Sequence, residues 1–498
     1  MSRFNATVET PRTKTVNKAG GEGYKTTPEL ELVSTMLTSF VQDKFYESAN
    51  GTVARLSAAM DKVDPEFAAK ASIFARDRFN MRSITHVAAG ELAPRVAGKP
   101  WAKDFYNAVV VRPDDMLEIA SYTKAKKGVL LTSAMKKGFG QAFNKFDSYQ
   151  LARYRAEDKD LSLVDLVNLV RPKADNPKTA EALAALVAGK LRQSRTFESK
   201  LSKAGQGVTN AAEKAEAKAT AWAEVIPTLG YMALVKNLRN IMTDAPESLD
   251  LALKRLEDEK AIKHSRLLPF RYIMAGRELN KTNDPRTRDV IRSLSKALDI
   301  AVSNVPKFEG RTLIALDASS SMRSRYGFYG SLGKQQSKGG FSEMPPAEIG
   351  ALFAAILAKA NDADVMLFHG SASYLNINTL DSTTTITDNI VRQIGGGATN
   401  FASVLQTANK AYDRIIVLTD NESWQDANRQ ASLKAYRDKY DVNPHLYLFT
   451  LSDYGTILFP ENQVYCVAGF SEKVFDVMEL LESDRKALVN EVRKVKFK

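Results

Sequence analysis

Asp317, Ser319 and Ser321 are spaced so that one carboxylate and two hydroxyls leave a single short loop. The loop directly follows Thr312-Leu-Ile-Ala-Leu316, an apolar run of strand formers. Its oxygens should therefore converge beyond a strand end. A small hard divalent cation, Mg2+ or Mn2+, prefers such oxygens, with water or a partner carboxylate completing the octahedron. Further on, Gly395-Gly-Gly-Ala-Thr399 sets a hydroxyl in a tight glycine loop before a helix, and Asp420 adds a second carboxylate after another strong strand. Any one of these elements alone reads more simply as a helix N-cap. Three in this order, each at a strand or helix edge, favour a metal site. Hydrolysis is disfavoured at the same loop. The position two residues after Asp317 is Ser319 rather than an acid, the histidines are only His86, His264, His369 and His445, and no Gly-x-Ser-x-Gly elbow surrounds these serines.

A second group of residues is cationic. Lys124, Lys126, Lys127, Lys136, Lys137, Lys145, Arg153, Arg155, Arg171 and Lys173 crowd one stretch of 50 residues. For any single lysine a solvated surface is the simpler reading. The distribution of charge argues for more. Residues from Pro306 onward hold 21 basic and 22 acidic residues, which leaves 49 basic against 36 acidic residues, a net of +13, for residues 1–305. A basic part joined to a neutral part suggests that one half meets a polyanion through phosphate neutralisation. Lys136, Lys137, Arg153, Arg155, Arg171 and Lys173 are the expected polyanion contacts. The interleaved Phe139, Phe143 and Phe146 share one helix face and are expected in the core rather than under bases.

The elements that must position these groups differ between the two parts. From about Pro28 to Ser303 the pattern is helical, as in Leu30, Val33, Met36, Leu37 and Phe40. It is punctuated at Asp64-Pro65, Arg112-Pro113, Arg171-Pro172, Asn176-Pro177 and Asp284-Pro285. Paired amphipathic helices without a strict period predict a helical-repeat solenoid, with an exposed helix or helical hairpin over 192–218. Near Pro306 the pattern changes. Apolar runs at 312–316, 365–368, 414–418 and 445–451 alternate with helical segments around 347–360, 401–412 and 428–440. That alternation predicts a doubly wound α/β domain with its site beyond the C-terminal strand ends. The Gly/Ser/Lys-rich stretch Arg323–Pro346 interrupts the first crossover as a long loop. The expected layout is a polar N-terminal arm (1–27), a basic helical domain (28–305), an α/β domain (306–482) and a basic C-terminal tail (483–498). A single cysteine, Cys466, excludes a disulfide framework, and no apolar signal core or membrane-spanning run is present. The cytoplasm is the expected compartment.

The oxygen constellation, Asp317, Ser319 and Ser321 with Thr399 and Asp420, resembles the metal-ion-dependent adhesion site of von Willebrand A-type domains. In that family two or three of these groups touch the metal and the others act through water. The helical part resembles the Ro autoantigen (TROVE-domain) family. The resemblance rests on Met135-Lys-Lys-Gly-Phe-Gly-Gln-Ala-Phe-Asn-Lys145, Leu151-Ala-Arg-Tyr-Arg155 and Leu163 to Lys173. Ile226 to Ile241 and Leu268-Pro-Phe-Arg-Tyr-Ile273 extend it, with weaker matches at Gly20 to Tyr24 and Arg76 to Arg82. Many members carry a histidine where Arg171 stands here; arginine contacts phosphate at all pH values. The resemblance implies a ring of antiparallel HEAT-like helical repeats closed by the von Willebrand A-type domain. It also implies binding of small non-coding Y-like RNA on the outer basic surface and of single-stranded 3′ ends of misfolded RNA in the central hole. An exoribonuclease such as polynucleotide phosphorylase is the implied partner, and a monomer the expected state.

Two function classes remain. One is a non-catalytic RNA-binding protein of RNA quality control. The other is a metal-dependent protein-interaction scaffold, in which the cation captures an acidic side chain of a partner. A metal-dependent hydrolase is weakest, because no general base is in view.

Overall fold

A computed structural model describes residues 14–16, 22–25, 27–38, 49–156, 160–191, 197–204, 206, 209–265, 267, 269–303, 305, 307–323, 345–420, 428–451, 456–457, 465–468 and 487–497. Most of the expected 323–346 loop lies outside these residues.

From Pro28–Thr38 to Thr287–Val302 the described chain is built from successive helices. Several prolines that punctuate the sequence stand at helix starts, where a missing N–H removes nothing from the helix. Asp64 accepts hydrogen bonds from the Glu66 and Phe67 amides to open Pro65–Phe79. Asn176 does the same through Thr179 to open Pro177–Val187. Arg171 instead ends Leu163–Val170 with a left-handed backbone, φ 52°. Phe139, Phe143 and Phe146 are all buried, although the helix that begins at Ser133 ends at Ala142 and tightens into a 3₁₀ turn over Phe143–Lys145. The stretch expected as a hairpin supplies helices Phe197–Ala204 and Ala211–Val225, which pack on each other.

The helices form two apolar cores. One runs through the helices up to Leu191 and continues into the α/β domain. The other gathers Trp222 to Ala301. Ile273 packs against both. Within the first core, helices Ala102–Val109 and Ser133–Ala142 cross at Gly138. A Cβ there would lie 2.4 Å from the Lys103 carbonyl oxygen and 2.5 Å from Tyr106 Cβ. Gly138→Ala should therefore force the helices apart at a cost of roughly 1–3 kcal/mol, as overpacking does. A fall in the urea midpoint at unchanged m-value is the expected reading, and an unchanged midpoint would show that the crossing gives way freely.

The α/β domain holds a six-stranded sheet. Numbered along the whole chain, with β1 (Lys14–Val16) and β2 (Glu22–Lys25) first, its strands are β3 (Thr312–Asp317), β4 (Asp364–Phe368), β5 (Ala372–Leu375), β6 (Arg414–Thr419), β7 (His445–Thr450) and β9 (Tyr465–Ala468). The spatial order is β5-β4-β3-β6-β7-β9, parallel except for the antiparallel edge β5. Chain order leaves β3 first toward β4 and then returns on its other side at β6. The topological switch point thus lies at the C-terminal ends of β3 and β6, where an open α/β sheet leaves its crevice. β5 and helix Thr383–Gln393 carry no clear periodicity in the sequence and extend the expected pattern.

The two ends of the chain are exchanged between the domains. β1 and β2 pair with each other and, through Tyr24 and Lys25, with β8 (Thr456–Ile457), following the α/β sheet's β7. The last helix, Ala487–Lys494, packs on helices Pro28–Thr38 and Pro65–Phe79. It buries Leu488 and Val492, one turn apart, in the first core. Arg493 pairs with Glu29 at 2.7 Å, and Phe497 stacks on Trp101 with ring centroids 4.9 Å apart. The polar arm and the basic tail thus each contain described elements that pack or pair with other parts of the chain. The opposite border of the α/β domain is held by Asp299, which accepts from Lys359 Nζ at 2.9 Å and from Thr383 Oγ1 at 2.6 Å. No helix among the described residues is long and apolar enough to cross a membrane.

Candidate metal centre and nucleic-acid interface

Asp317 ends β3 and is fully buried, and Ser319, Ser321, Thr399 and Asp420 are buried with it. The register of β3 on β6 brings Thr419 beside Asp317, and its hydroxyl donates to Asp317 Oδ2 at 2.6 Å. Asp420 is the next residue beyond. Asp317 Oδ1 accepts from the Ser319 amide at 2.9 Å, which folds the loop back on its strand. The Ser319 and Ser321 hydroxyl oxygens then lie 3.2 Å apart. The glycine loop is laced to the same turn: Gly396 N–H donates to the Ala318 carbonyl and Gly397 N–H to Ser320 Oγ, both at 3.0 Å. Gly396 and Gly397 hold φ of 82° and 124°, a conformation that side chains with a Cβ rarely adopt. The glycine loop that leads to Thr399 is thereby held against the turn that follows Asp317.

Burial pushes the Asp317 carboxyl above its ordinary range, against the hydrogen bonds of Thr419 and Ser319 and the charge of His369. The donor set consists only of hard oxygens, which fits Mg2+ or Mn2+ and not a soft metal. Among the described residues no group of three His, Cys, Asp or Glu could hold a metal. An ion here would need the hydroxyls of Ser319, Ser321 and Thr399 alongside the two carboxylates.

In the helical part, a second constellation forms where the two cores meet. Arg112 and Arg153 belong to the first half; Lys236, on helix Tyr231–Asp244, and Arg271, on Pro269–Asn280, belong to the second. Partial burial, and then the positive charges of Arg271, Arg153 and Arg112, lower the pKa of the Lys236 ammonium. Burial lowers that of Arg271 as well. Tyr154 lies under the two arginines of the first half, with the Arg112 guanidinium 4.6 Å and the Arg153 guanidinium 5.9 Å from its ring centroid. Lys236, facing the charges of three arginines across the junction, marks a concentration of positive charge that attracts a polyanion.

Arg112 is fixed from below by a buried hub. Asp115 Oδ2 accepts from the Val111 and Arg112 amides at 3.0 and 2.9 Å and from Arg76 at 2.8 Å. Its other oxygen meets His86 at 2.9 Å and Arg82 at 3.2 Å. Burial alone would raise the Asp115 carboxyl, yet the His86 hydrogen bond and the Arg76 charge hold it well below the usual carboxylate range. Asp114 sits between Arg82 at 2.7 Å and Arg112 at 2.9 Å.

The TROVE-domain family model matches residues 31–212 and 187–297, and the Ro60 vWA domain model matches residues 311–481. The chain belongs to the TROVE-domain (Ro) family. The Ro protein (RSR) of Deinococcus radiodurans shares its fold, with a TM-score of 0.60 at 19% identity over 94% of this chain and 99% of that one. Telomerase protein component 1 of Mus musculus is 24% identical over 51% of the chain, and that of Rattus norvegicus 23% over 50%. The chain spans only 12% of the length of those two relatives.

Within the TROVE domain the six cations expected from sequence separate into different settings. Lys136 and Lys137 are exposed on helix Ser133–Ala142, and Arg171 and Lys173 are exposed on the segment that packs beside it. None of these four has an ion-pair partner among the described residues. Arg155 is half-buried, and its guanidinium donates to the Leu191 carbonyl, so it tethers the end of helix Pro177–Val187. Arg153 alone joins the junction cluster. Residue pattern does not single out Arg112, Lys236 or Arg271, although Lys236 and Arg271 stand inside segments that carry the TROVE resemblance.

Proposed function

We propose that this TROVE chain binds RNA, with phosphates seated on the cation cluster of Arg112, Arg153, Lys236 and Arg271. The observation that carries the reading is that Arg112 and Arg153, both against the Tyr154 ring in the first half, lie close enough to Lys236 of the second half for their charges to bear on it, as does that of Arg271. Single-stranded RNA suits such a site better than duplex, because an unstacked strand can follow a junction between helices with its bases free to meet aromatic or guanidinium planes. The exposed group of Lys136, Lys137, Arg171 and Lys173 offers a second phosphate surface for a folded RNA body. On this reading the chain is non-catalytic and cytoplasmic. It holds a small Y-like RNA and the 3′ ends of misfolded RNAs, acts as a monomer, and hands RNA to an exoribonuclease of the polynucleotide phosphorylase kind. The test is a gel-shift titration against one hairpin RNA, with and without a single-stranded 3′ tail, at two salt concentrations. Tail-dependent binding that weakens steeply with salt supports the reading. Absence of binding at low salt overturns it.

The buried oxygen set at the β3–β6 switch point favours a second, compatible role: holding a divalent cation through which a partner's carboxylate would dock. Asp317, Ser319, Ser321, Thr399 and Asp420 would hold that ion. Mg2+ or Mn2+ at a hundredfold excess over its dissociation constant should then stabilise the fold by roughly 2.7 kcal/mol. Thermal unfolding with and without Mn2+ reads this directly. Asp317→Asn and Thr399→Val should abolish the shift, and a wild-type midpoint indifferent to Mn2+ would remove the metal from the proposal.

A further inference from the structure

Among the described residues, the acids paired with Arg112 and Arg153 are held very differently. Asp114 is locked between Arg82 and Arg112 and adjoins the Asp115 hub. Glu198 is half exposed, and its one ion pair among the described residues is with Arg153, at 3.3 Å. It sits on helix Phe197–Ala204, which has no fully buried residue and rests on the second core through Phe197 and Leu201. The Arg153–Glu198 pair therefore bridges the two helical halves, and the carboxylate occupies the guanidinium that leads into the cluster.

We propose that Glu198 is an internal stand-in for an RNA phosphate at Arg153, and that it withdraws when a phosphate of the bound strand takes its place on the Arg153 guanidinium. The geometry suits the exchange. An exposed ion pair is weak, about 0.2–1 kcal/mol, so it is readily displaced. A phosphate can accept more charge-assisted hydrogen bonds from the Arg153 guanidinium than the single Glu198 contact it replaces. Glu198 also discriminates. A ligand with isolated charge gains little over the carboxylate it displaces, whereas a strand that presents several phosphates engages both halves at once.

The inference rests on RNA binding as proposed above, and the test separates the two. Affinity for a fluorescent 12-nucleotide single-stranded RNA is measured at low salt for wild type, Glu198→Gln, Arg153→Gln and the double variant. Glu216→Gln, a neutralisation at an exposed site on the adjoining helix, serves as the control for net charge. Glu198→Gln should tighten binding by roughly two- to fivefold, the loss of one competing exposed ion pair. Glu216→Gln should gain less, and Glu198→Gln should have no effect once Arg153 is glutamine. Wild-type binding that Glu198→Gln leaves unchanged or weakens overturns the stand-in role alone. The same holds for a gain that persists without Arg153. Failure of the wild type to bind RNA removes both readings.

Discussion

Asp115→Ala should lower stability by roughly 3–5 kcal/mol, the expected loss when one partner of a buried charge network is removed. Arg76 is 3% exposed and would keep its charge in the core without the carboxylate it faces. The Val111 and Arg112 amides would lose their acceptor at the same time, which frays the start of helix Pro113–Lys127. Asp115→Asn retains the shape but not the charge and should fall between alanine and wild type. Urea unfolding measures both, and a loss below about 1 kcal/mol for the alanine variant would show that water or a shifted acid rescues Arg76. The same carboxylate gives a pH dependence. Its folded pKa is depressed, so its contribution is present above the unfolded value of about 3.9 and disappears as pH falls through the lower folded value. Wild type should thus lose stability steeply below about pH 4, and Asp115→Asn less so.

The second large effect concerns RNA. Lys236→Gln combined with Arg271→Gln should weaken binding of a single-stranded RNA on the order of a hundredfold, about one decade for each charge-assisted hydrogen bond to phosphate that is removed. The plot of log K against log salt should flatten by about 1.4, since each phosphate on a single strand contributes about 0.7. Lys136→Gln with Lys137→Gln is the informative comparison. If the cluster holds the strand and the exposed face holds a folded RNA body, the lysine pair should matter only for RNAs that possess such a body. Loss of single-strand binding in the lysine pair, with none in the cluster pair, would relocate the interface to the outer helix.

Much of the architecture is readable from residue pattern because local physics decides it. The runs at 312–316, 365–368, 414–418 and 445–451 form β3, β4, β6 and β7 within a residue or two, since buried parallel strands are apolar throughout. β5, Ala372–Leu375, is not legible: a four-residue edge strand carries half-buried small and polar side chains and no distinct period. Helix Thr383–Gln393 is hidden by a Thr-rich first turn with poor helix propensity. At the β3–β6 switch point Asp317, Ser319 and Ser321 are neighbours in one loop, whereas the glycine loop before Thr399 and the end of β6 before Asp420 reach that loop from distant sequence through the sheet. The cation cluster cannot be found from residue order. Arg112 and Lys236 are more than a hundred residues apart, and only the meeting of two helical cores brings their charges to bear on each other. Arg155 shows the converse limit, since an arginine in a basic run is indistinguishable in sequence from one that props a carbonyl.

The exchange of chain ends constrains how the molecule can be made. Glu29 and Arg493 are 464 positions apart, and the helix that carries Arg493 completes the apolar surface of the first helices. At the usual 5–20 residues per second, roughly half a minute to a minute and a half separates their emergence from the ribosome. During that interval the nascent helices from Pro28 to Phe79 lack the residues that cover them, and β2 has no β8 to pair with. Slow synthesis, or a stall before the codons of Ala487–Lys494, should therefore leave a long-lived species with exposed apolar helices that depends on chaperones.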